Sequence, residues 1–310
     1  MDSEKSYIGM GGWDLPSFQK YFYPPSKPKG FRKLRFYSQY FDHVEVNTTF
    51  YNTVFPENQV RLWLDDVADN KEFLFTAKLF RGYTHNINAT REEYFAIRRM
   101  MDQFQESGRF GGLVIQFPSS FSAKPETRAY LSKLSTAFSA YNLFLDGRHK
   151  SWDDVACGTF FEDHRLNLIN VDLPSLHCHR PFANQFMNGI AYYRMMGRNA
   201  TGWRQPYRPT HEESLVSNDR YNYLYTRHEL NDLVRRIQIV SPLVEKTFVV
   251  FHNDPEANSL VNGFQLKQRL HQQQRTSYPK HFLLNFPTMV QTKEFHEPEY
   301  EMLPLFRKCI

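Results

Sequence analysis

The sequence contains few cysteines and no obvious export or membrane segment. Cys157, Cys178 and Cys309 are odd in number and lack C-x-x-C spacing, which argues against a disulfide framework and favours a reducing compartment. The first residues carry no apolar signal core, and no window approaches the length of a membrane span. The sequence therefore predicts a cytoplasmic protein that has no membrane partner.

Several motifs of common enzyme classes are also missing. No G-x-G-x-x-G follows a strand-like run, which argues against a dinucleotide cofactor and redox chemistry, and no Walker-type phosphate loop occurs. The G-x-S-x-G elbow of serine hydrolases is absent, as are the H-E-x-x-H and H-x-x-E-H metal motifs. No cofactor is therefore expected, and acid/base chemistry, a divalent metal on scattered ligands, or binding without turnover stay open.

The composition is that of a globular protein that is mildly basic and rich in aromatic residues. Of the 310 residues, 41% are hydrophobic and 16% aromatic, which is enough for a large core. The net charge of +5 permits an anionic ligand, but no basic run dominates as nucleic-acid binding would require.

Short strand patterns alternate with helical patterns along most of the chain. The alternation is clearest where His43, Glu45 and Asn47 are interleaved with Val44 and Val46. Eight strands are predicted, over residues 7–13, 43–47, 72–80, 110–117, 142–148, 166–172, 190–196 and 247–253.

Helix starts are marked by a proline and two capping boxes. Pro125 suits a first helical position. Thr90 and Glu93 have the spacing of a capping box, as do Thr226 and Glu229. Helices are therefore expected between the strands.

Eight strands that alternate with helices predict an α/β fold, specifically a TIM-type (β/α)8 barrel of parallel strands with outer helices. We predict one barrel domain over residues 1–270. Residues 271–310 are predicted to form a C-terminal extension that packs on or near the barrel.

Polar side chains gather near the C-terminal ends of the predicted strands. Alternate residues of a barrel strand point into the lumen, and barrel enzymes carry their catalytic groups at these strand ends. The positions with this placement are Glu45, Asn47, Thr76, Lys78, Gln116, Asp146, Arg148, Asn170, Asp172, Arg194 and Asn253. The pattern predicts a ligand site, although structural ion pairs such as Lys78 with Glu45 or Arg148 with Asp172 would also satisfy buried charges.

The same segments carry a family resemblance over roughly residues 7 to 270. The matching stretches are IGMGGW at 8–13, FYPP at 22–25, FDHVEVNTTFYNT at 41–53, FTAKLFRGYTH at 75–85, LVIQFP at 113–118, DGRHKSW at 146–152, DLP at 172–174, YRMMGRN at 193–199 and FHNDPEANSLVN at 251–262. Together they resemble the YecE-like family, a domain of unknown function (number 72 in that series). The resemblance implies a TIM-type barrel with no assigned activity.

This chain departs from the family pattern at several positions. The family's first strand usually reads close to G-T-S-G-W, whereas Met10 and Gly11 stand here, so an anion could use only backbone N–H groups of this loop. Glu is common where Asp146 stands, and Asn is common where His252 stands. The shorter acid at position 146 withdraws its carboxylate by about one C–C bond.

The first functional hypothesis is a metal-independent acid/base enzyme, a hydrolase or isomerase. Its partner would be a small anionic molecule such as a sugar phosphate or nucleotide-like compound. Glu45 and Asp146 would be the acid/base pair, because neighbouring carboxylates are driven to different pKa values. His85 and His149 would carry protons. The substrate-binding candidates are Asn47, Tyr51, Lys78, Gln116, Arg148, Asp172, Arg194, Arg198 and Asn253.

Two other hypotheses stay open. A divalent metal could bind Glu45, Asp146, Asp172 and His149, although nearby Lys and Arg side chains would repel it. Alternatively, the barrel could be a non-catalytic module that binds a metabolite or nucleic acid, since a basic balance and many aromatic rings suit single-strand stacking. The sequence leaves the oligomeric state open.

Overall fold

The computed structural model describes residues 5–205, 220–270 and 277–291, which are organised around one parallel sheet. Its strands are β1 (Lys5–Met10), β2 (His43–Val46), β3 (Leu74–Lys78), β4 (Phe110–Gln116), β5 (Leu143–Asp146), β6 (Leu166–Leu168), β7 (Asn170–Asp172), β8 (Ile190–Met195) and β9 (Lys246–Phe251). They are hydrogen-bonded in the order β6-β5-β4-β3-β2-β1-β9-β8-β7, and each pair is parallel.

The sheet closes into a barrel because its two edges belong to one stretch of chain. β6 pairs with β5, β7 pairs with β8, and only Ile169 separates the two segments. The nine segments therefore correspond to the eight predicted strands, with the sixth one broken at Ile169. The predicted TIM-type barrel is confirmed.

Helices lie between most of the strands and surround the barrel. They are α1 (Pro16–Tyr21), α2 (Lys33–Tyr37), α3 (Thr48–Tyr51), α4 (Gln59–Asp66), α5 (Arg81–Thr84), α6 (Arg91–Glu106), α7 (Pro125–Ala137), α8 (Ala156–Asp163), α9 (Ala200–Arg204), α10 (Arg227–Val240), α11 (Asn258–Arg269), α12 (Lys280–Asn285) and α13 (Thr288–Gln291). Both predicted capping boxes form, at the starts of α6 and α10. In the described ranges, no helix combines the length and apolar character needed to cross a bilayer.

The strands separate two apolar layers. Val44 and Val46 of β2 belong to the large cluster between the strands and the helices. Tyr192, Phe248 and Val250 belong to a smaller cluster that fills the lumen. In β2 the valines therefore face the helices and Glu45 faces the lumen, as the alternation of polar and apolar residues predicts.

The part of the C-terminal extension that the structure describes packs against the barrel's outer helices. Phe282 of α12 is fully buried, and its ring centre lies 5.0 Å from that of Phe264 in α11. Nε2 of His281 lies 2.8 Å from the carbonyl oxygen of Lys20. These contacts join α12 to the same core as the barrel helices.

Candidate functional site

The centre of the candidate site is Arg194 of β8, whose guanidinium bridges two buried carboxylates. Nη2 donates to Glu45 Oε1 at 2.9 Å, and Nη1 donates to Asp146 Oδ2 and to Gln116 Oε1, the latter at 2.9 Å. Glu45 and Asp146 are fully buried, and Arg194 is 1% exposed. Four of the predicted lumen positions therefore meet at the C-terminal ends of their strands.

A second guanidinium balances the charge of this centre. Arg148 Nε and Nη2 each donate to Asp146 at 3.1 Å. Burial raises the pKa of Asp146, but Arg148 and Arg194 lower it more, so the pKa lies below its ordinary value. Burial also raises the pKa of Glu45, but the charge of Arg194 and the interaction with His252 hold it well below its usual range. Both carboxyl groups are therefore ionised at neutral pH and face two guanidinium cations.

A chain of hydroxyl and imidazole groups leads from Glu45 down the lumen. Tyr192 donates its hydroxyl proton to Glu45 Oε2 at 2.9 Å and lies 3.0 Å from Thr76 Oγ1. Nε2 of His43 is also 3.0 Å from Thr76 Oγ1, and burial lowers the pKa of His43 to about 3. Tyr192 was not among the predicted site residues, although it lies two residues before Arg194 and so shares its strand face.

Lys78 differs from every other cation in this network. Among the described residues, no carboxylate lies within ion-pair distance of its Nζ, because Glu45 and Asp146 are bonded to the guanidinium groups instead. The Nζ lies 4.2 Å from the centre of the Phe50 ring, and the side chain is 8% exposed. Burial, followed by the charge of Arg194, lowers the pKa of Lys78 to about 7. The alternative pairing of Lys78 with Glu45 does not form.

Two of the predicted site residues, His85 and Tyr51, pack against Phe50. The His85 ring packs edge-on against Phe50 at 5.0 Å, and the Tyr51 ring, which is 61% exposed, does the same from another side. Desolvation and the charges of Lys78 and Arg148 lower the pKa of His85 to about 4. His85 is therefore neutral at pH 7, and it lies close enough to Lys78 to interact with the charge of its amine.

The structure gives His149 a local structural contact. Its Nδ1 accepts a hydrogen bond from the Ser151 backbone N–H at 3.1 Å and caps the 3-10 turn Lys150–Asp153. The same nitrogen lies 2.8 Å from Ser151 Oγ. Any proton transfer by His149 would have to use Nε2 alone.

The predicted positions Asp172 and Arg198 form a separate network. Arg198 Nε donates to both Asp172 oxygens at 2.9 Å, and its Nη1 donates to Glu229 Oε1 at 2.9 Å. Burial raises the pKa of Asp172, although Arg198 opposes this. The alternative pairing of Arg148 with Asp172 is therefore replaced by Arg198 with Asp172, which joins β7 to the start of α10.

The face assignment of the sixth and eighth strands needs correction. Ile169 and Val171 belong to the lumen cluster, so Asn170 and Asp172 point the other way. Leu166 and Leu168 also face the helices, so the alternation continues unchanged across Ile169, and the predicted lumen face of this strand was wrong by one residue. Likewise, Asn253 follows β9 on the outer face, where its Nδ2 donates to Tyr223 O at 2.7 Å and Asn262 Oδ1 at 2.9 Å.

His252 is the residue that reaches the lumen network from the end of β9. Its Nε2 lies 3.1 Å from Arg194 Nη2 and 3.3 Å from Glu45 Oε1. Burial and the charge of Arg194 lower its pKa to about 4, so the ring is neutral at pH 7. The sequence contained a signal for this role, because position 252 has the same strand parity as Phe248 and Val250 in the lumen.

Gly11 leaves the space that the His252 ring occupies. A Cβ atom at position 11 would lie 2.3 Å from His252 Nδ1 and 2.8 Å from Asn47 Nδ2. Asn47 Nδ2 donates to Gly11 O at 2.6 Å, and the Gly11 N–H is already bonded to Phe251 O at 3.1 Å. The Gly11 N–H is thus not free for an anion, and the two departures from the family pattern, at 11 and 252, compensate each other sterically.

This compensation predicts a coupling between positions 11 and 252. We expect Gly11→Ser to lower the free energy of unfolding by about 1–3 kcal/mol through overpacking. Combining it with His252→Asn should recover at least about 1 kcal/mol, because the smaller side chain frees the space. Urea unfolding of the two single variants and the double variant measures the coupling; strictly additive losses would contradict it.

A metal site is not assembled from the predicted ligands. In residues 5–205, 220–270 and 277–291, no group of three or more His, Cys, Asp or Glu side chains is close enough to hold an ion. Glu45 and Asp146 are bridged by Arg194, whereas Asp172 is bonded to Arg198 and His149 caps a turn.

Two surface cavities lie at the opposite end of the barrel. One, of about 570 Å³, borders Asp42 and Lys267, and the other, of about 520 Å³, borders Leu143 and Asn167. Asp42, Leu143 and Asn167 lie at or just before the N-terminal ends of their strands. Lys267 lies beside Asp42. Barrel enzymes carry their chemistry at the C-terminal ends, so we assign the candidate site to the charge network.

Comparisons with known proteins agree with this architecture. UPF0759 protein YunF from Bacillus subtilis is 26% identical over 282 residues, which cover 85% of this chain and 94% of that protein. The crystal structure of a DUF72 family protein from Thermotoga maritima matches with a TM-score of 0.70 and 26% identity, over 86% of this chain and 99% of the other. A xylose isomerase-like TIM barrel protein from Mycobacterium smegmatis, solved in complex with magnesium, matches with a TM-score of 0.50 and 10% identity, over 86% and 97% of the chains.

The similarity to the Mycobacterium smegmatis protein shows a shared fold alone. The family model described as "Protein of unknown function DUF72" spans residues 7–283, which is most of the chain. The chain therefore belongs to the DUF72 family.

Proposed function

We propose that this protein is an acid/base enzyme that acts on a small anionic, sugar- or nucleotide-like substrate at the C-terminal face of the barrel, by isomerisation or hydrolysis. The observation that carries the proposal is the buried amine of Lys78, which has no carboxylate partner among the described residues and lies beside a network that is already neutral. Glu45 and Asp146 offset Arg194 and Arg148, so a protonated Lys78 has no counter-ion among the described residues. An anionic substrate would supply one.

The lowered pKa values favour Lys78 for proton transfer. Glu45 and Asp146 stay ionised at neutral pH and suit the task of orienting the two guanidinium groups. Lys78, with a pKa of about 7, can both accept and donate a proton near neutral pH. Arg148 would help to hold the anion, because a guanidinium matches phosphate and carboxylate oxygens in geometry.

Calorimetric titration with inorganic phosphate and with ribose 5-phosphate tests this proposal. At pH 8 we expect binding to take up nearly one proton, because the ligand's charge raises the pKa of Lys78, whose amine is then about 90% neutral before binding. Proton uptake is measured by repeating the titration in buffers of different ionisation enthalpy.

Two variants sharpen the experiment. Lys78→Met should abolish the proton uptake and weaken binding at least about tenfold, as expected for a lost charged contact of about 1.4 kcal/mol or more. Lys71→Met removes an exposed lysine at the opposite end of the barrel and should leave both quantities unchanged. No detectable binding of either compound, or binding without proton uptake, would contradict the proposal.

A further inference from the structure

Two buried lysines of this chain have opposite surroundings. Both Lys78 and Lys267 are 8% exposed. Lys267 Nζ donates to Tyr40 O at 2.7 Å and lies 3.5 Å from Asp42 Oδ2. Lys78 Nζ instead rests on the face of the Phe50 ring. Lys267 is therefore held as a structural cation, whereas the Lys78 amine is left without an acceptor of that kind among the described residues.

The charged groups around Lys78 include cations, anions and two imidazoles. Burial is the largest cause of the lowered pKa of Lys78; Arg194 and Arg148 also disfavour its protonated form, and Glu45 and Asp146 favour it. His85 and His252 also lie close enough to interact with its charge, and both are neutral at pH 7. Desolvation next to other cations is the environment in which enzymes keep a lysine amine nucleophilic.

We propose that Lys78 forms a covalent Schiff base with the carbonyl carbon of an anionic aldehyde or ketone, such as the open-chain form of a sugar phosphate. This inference rests on the proposed function and names the substrate class of the same site. The anionic group would supply the counter-charge that the site lacks, and Arg148 is the guanidinium that we expect to bind it, because Arg148 is 8% exposed and Arg194 only 1%.

The reaction balances without an oxidant or a reductant. The lone pair of the neutral Nζ attacks the carbonyl carbon, and one proton passes from Nζ to the carbonyl oxygen to give a neutral carbinolamine. A proton from solvent converts its hydroxyl group into leaving water, the C–O bond breaks, and a protonated imine forms between Nζ and the former carbonyl carbon. Loss of a proton from the adjacent carbon to solvent gives an enamine, and reprotonation of that carbon on its opposite face regenerates the imine with inverted configuration. Addition of water to the imine then breaks the C–N bond and releases the isomerised carbonyl compound and the free amine.

Reductive trapping tests the inference on the intact protein. The protein is incubated at pH 7 with ribose 5-phosphate and cyanoborohydride, and lysine peptides are then quantified by mass spectrometry. We expect one reduced adduct per chain, on Lys78. A pKa of about 7 leaves half of its amine neutral. That is roughly a thousandfold more than an ordinary lysine amine at this pH. Lys267 and the exposed Lys71 serve as internal controls and should carry less than a tenth of the adduct.

The outcome separates the two proposals. An adduct on Lys78 that disappears in Lys78→Met and is suppressed by excess inorganic phosphate supports the Schiff base. Adducts spread over exposed lysines with no preference for Lys78 overturn it. If no preferential adduct forms on Lys78 while phosphate and ribose 5-phosphate bind with proton uptake, the Schiff base is rejected and the acid/base function is kept. If neither binding nor trapping occurs, both are rejected.

Discussion

Replacing Arg194 with methionine will lower the free energy of unfolding by about 3–5 kcal/mol, because it leaves buried carboxylates without their main counter-ion. Arg194 donates to Glu45, Asp146 and Gln116 and is 1% exposed. Urea unfolding at pH 7 measures the loss.

Two further variants distinguish lost charge balance from lost volume. Arg235→Met removes one half of an exposed ion pair, with Nη2 3.6 Å from Asp232 Oδ1, and should cost less than about 1 kcal/mol. Adding Glu45→Gln to Arg194→Met should recover part of the loss, because it removes one unpaired charge. A loss for Arg194→Met no larger than that of the Arg235 control would contradict the role assigned to the network.

Replacing Lys78 with methionine will stabilise the protein at neutral pH, by at least about 2 kcal/mol, since a buried amine with no carboxylate partner in the described part of the chain is costly to protonate and to desolvate. The pKa of Lys78 is lowered from 10.5 to about 7 in the folded state. Above pH 10.5 the Lys78 amine is neutral in both the folded and the unfolded state and costs no stability on protonation. As the pH drops from 10.5 towards 7, the unfolded state binds a proton that the folded state does not, and the free energy of unfolding falls by about 1.4 kcal/mol per pH unit.

The advantage of Lys78→Met should accordingly shrink as the pH is raised from 7 to 10. Urea unfolding at several pH values measures this slope. Lys267→Met is the matched control, because its amine bonds to Tyr40 O and lies beside Asp42; this substitution should destabilise the protein at pH 7. Destabilisation by both lysine substitutions, or a pH-independent difference for Lys78→Met, would contradict the unpaired state assigned to the Lys78 amine.

Much of the candidate site follows from strand parity. Glu45, Gln116, Asp146 and Arg194 each lie on the lumen face near the end of a strand, and alternation along a strand is a local property that one sequence reveals. Parallel strands then bring such ends together at one face of the barrel. This reasoning also reaches Lys78, although it treats that residue as a plain anion-binding cation.

The pairing of the charges could not be obtained in the same way. Glu45 pairs with Arg194, which is 149 residues away, and not with Lys78. The choice depends on the relative positions of strands across the lumen, which alternation does not encode. Similarly, Asp172 shares the outer face with Leu166 and Leu168, although a polar side chain near a strand end predicts the lumen face. The unpaired state of Lys78, and with it the lowered pKa, follows only once these pairings are known.

The contact between Gly11 and His252 is a feature that the sequence alone does not reveal. A glycine stands at position 11 and a histidine at 252, and each differs from the family pattern on its own. Their link becomes visible only in the folded chain, where a Cβ atom on residue 11 would lie 2.3 Å from the imidazole. Residues far apart in sequence share such a constraint only through the closed barrel.

The most direct test of the central claim is the titration of the Lys78 amine itself. In protein labelled with ¹³C at the lysine ε-carbon, Lys78 is assigned by its absence from the spectrum of Lys78→Met, and its chemical shift is followed as a function of pH. We expect a midpoint near pH 7. A midpoint close to about 10.4, as in an ordinary solvated or paired lysine, would contradict the claim that this buried amine lacks the counter-ion that none of the described residues supplies.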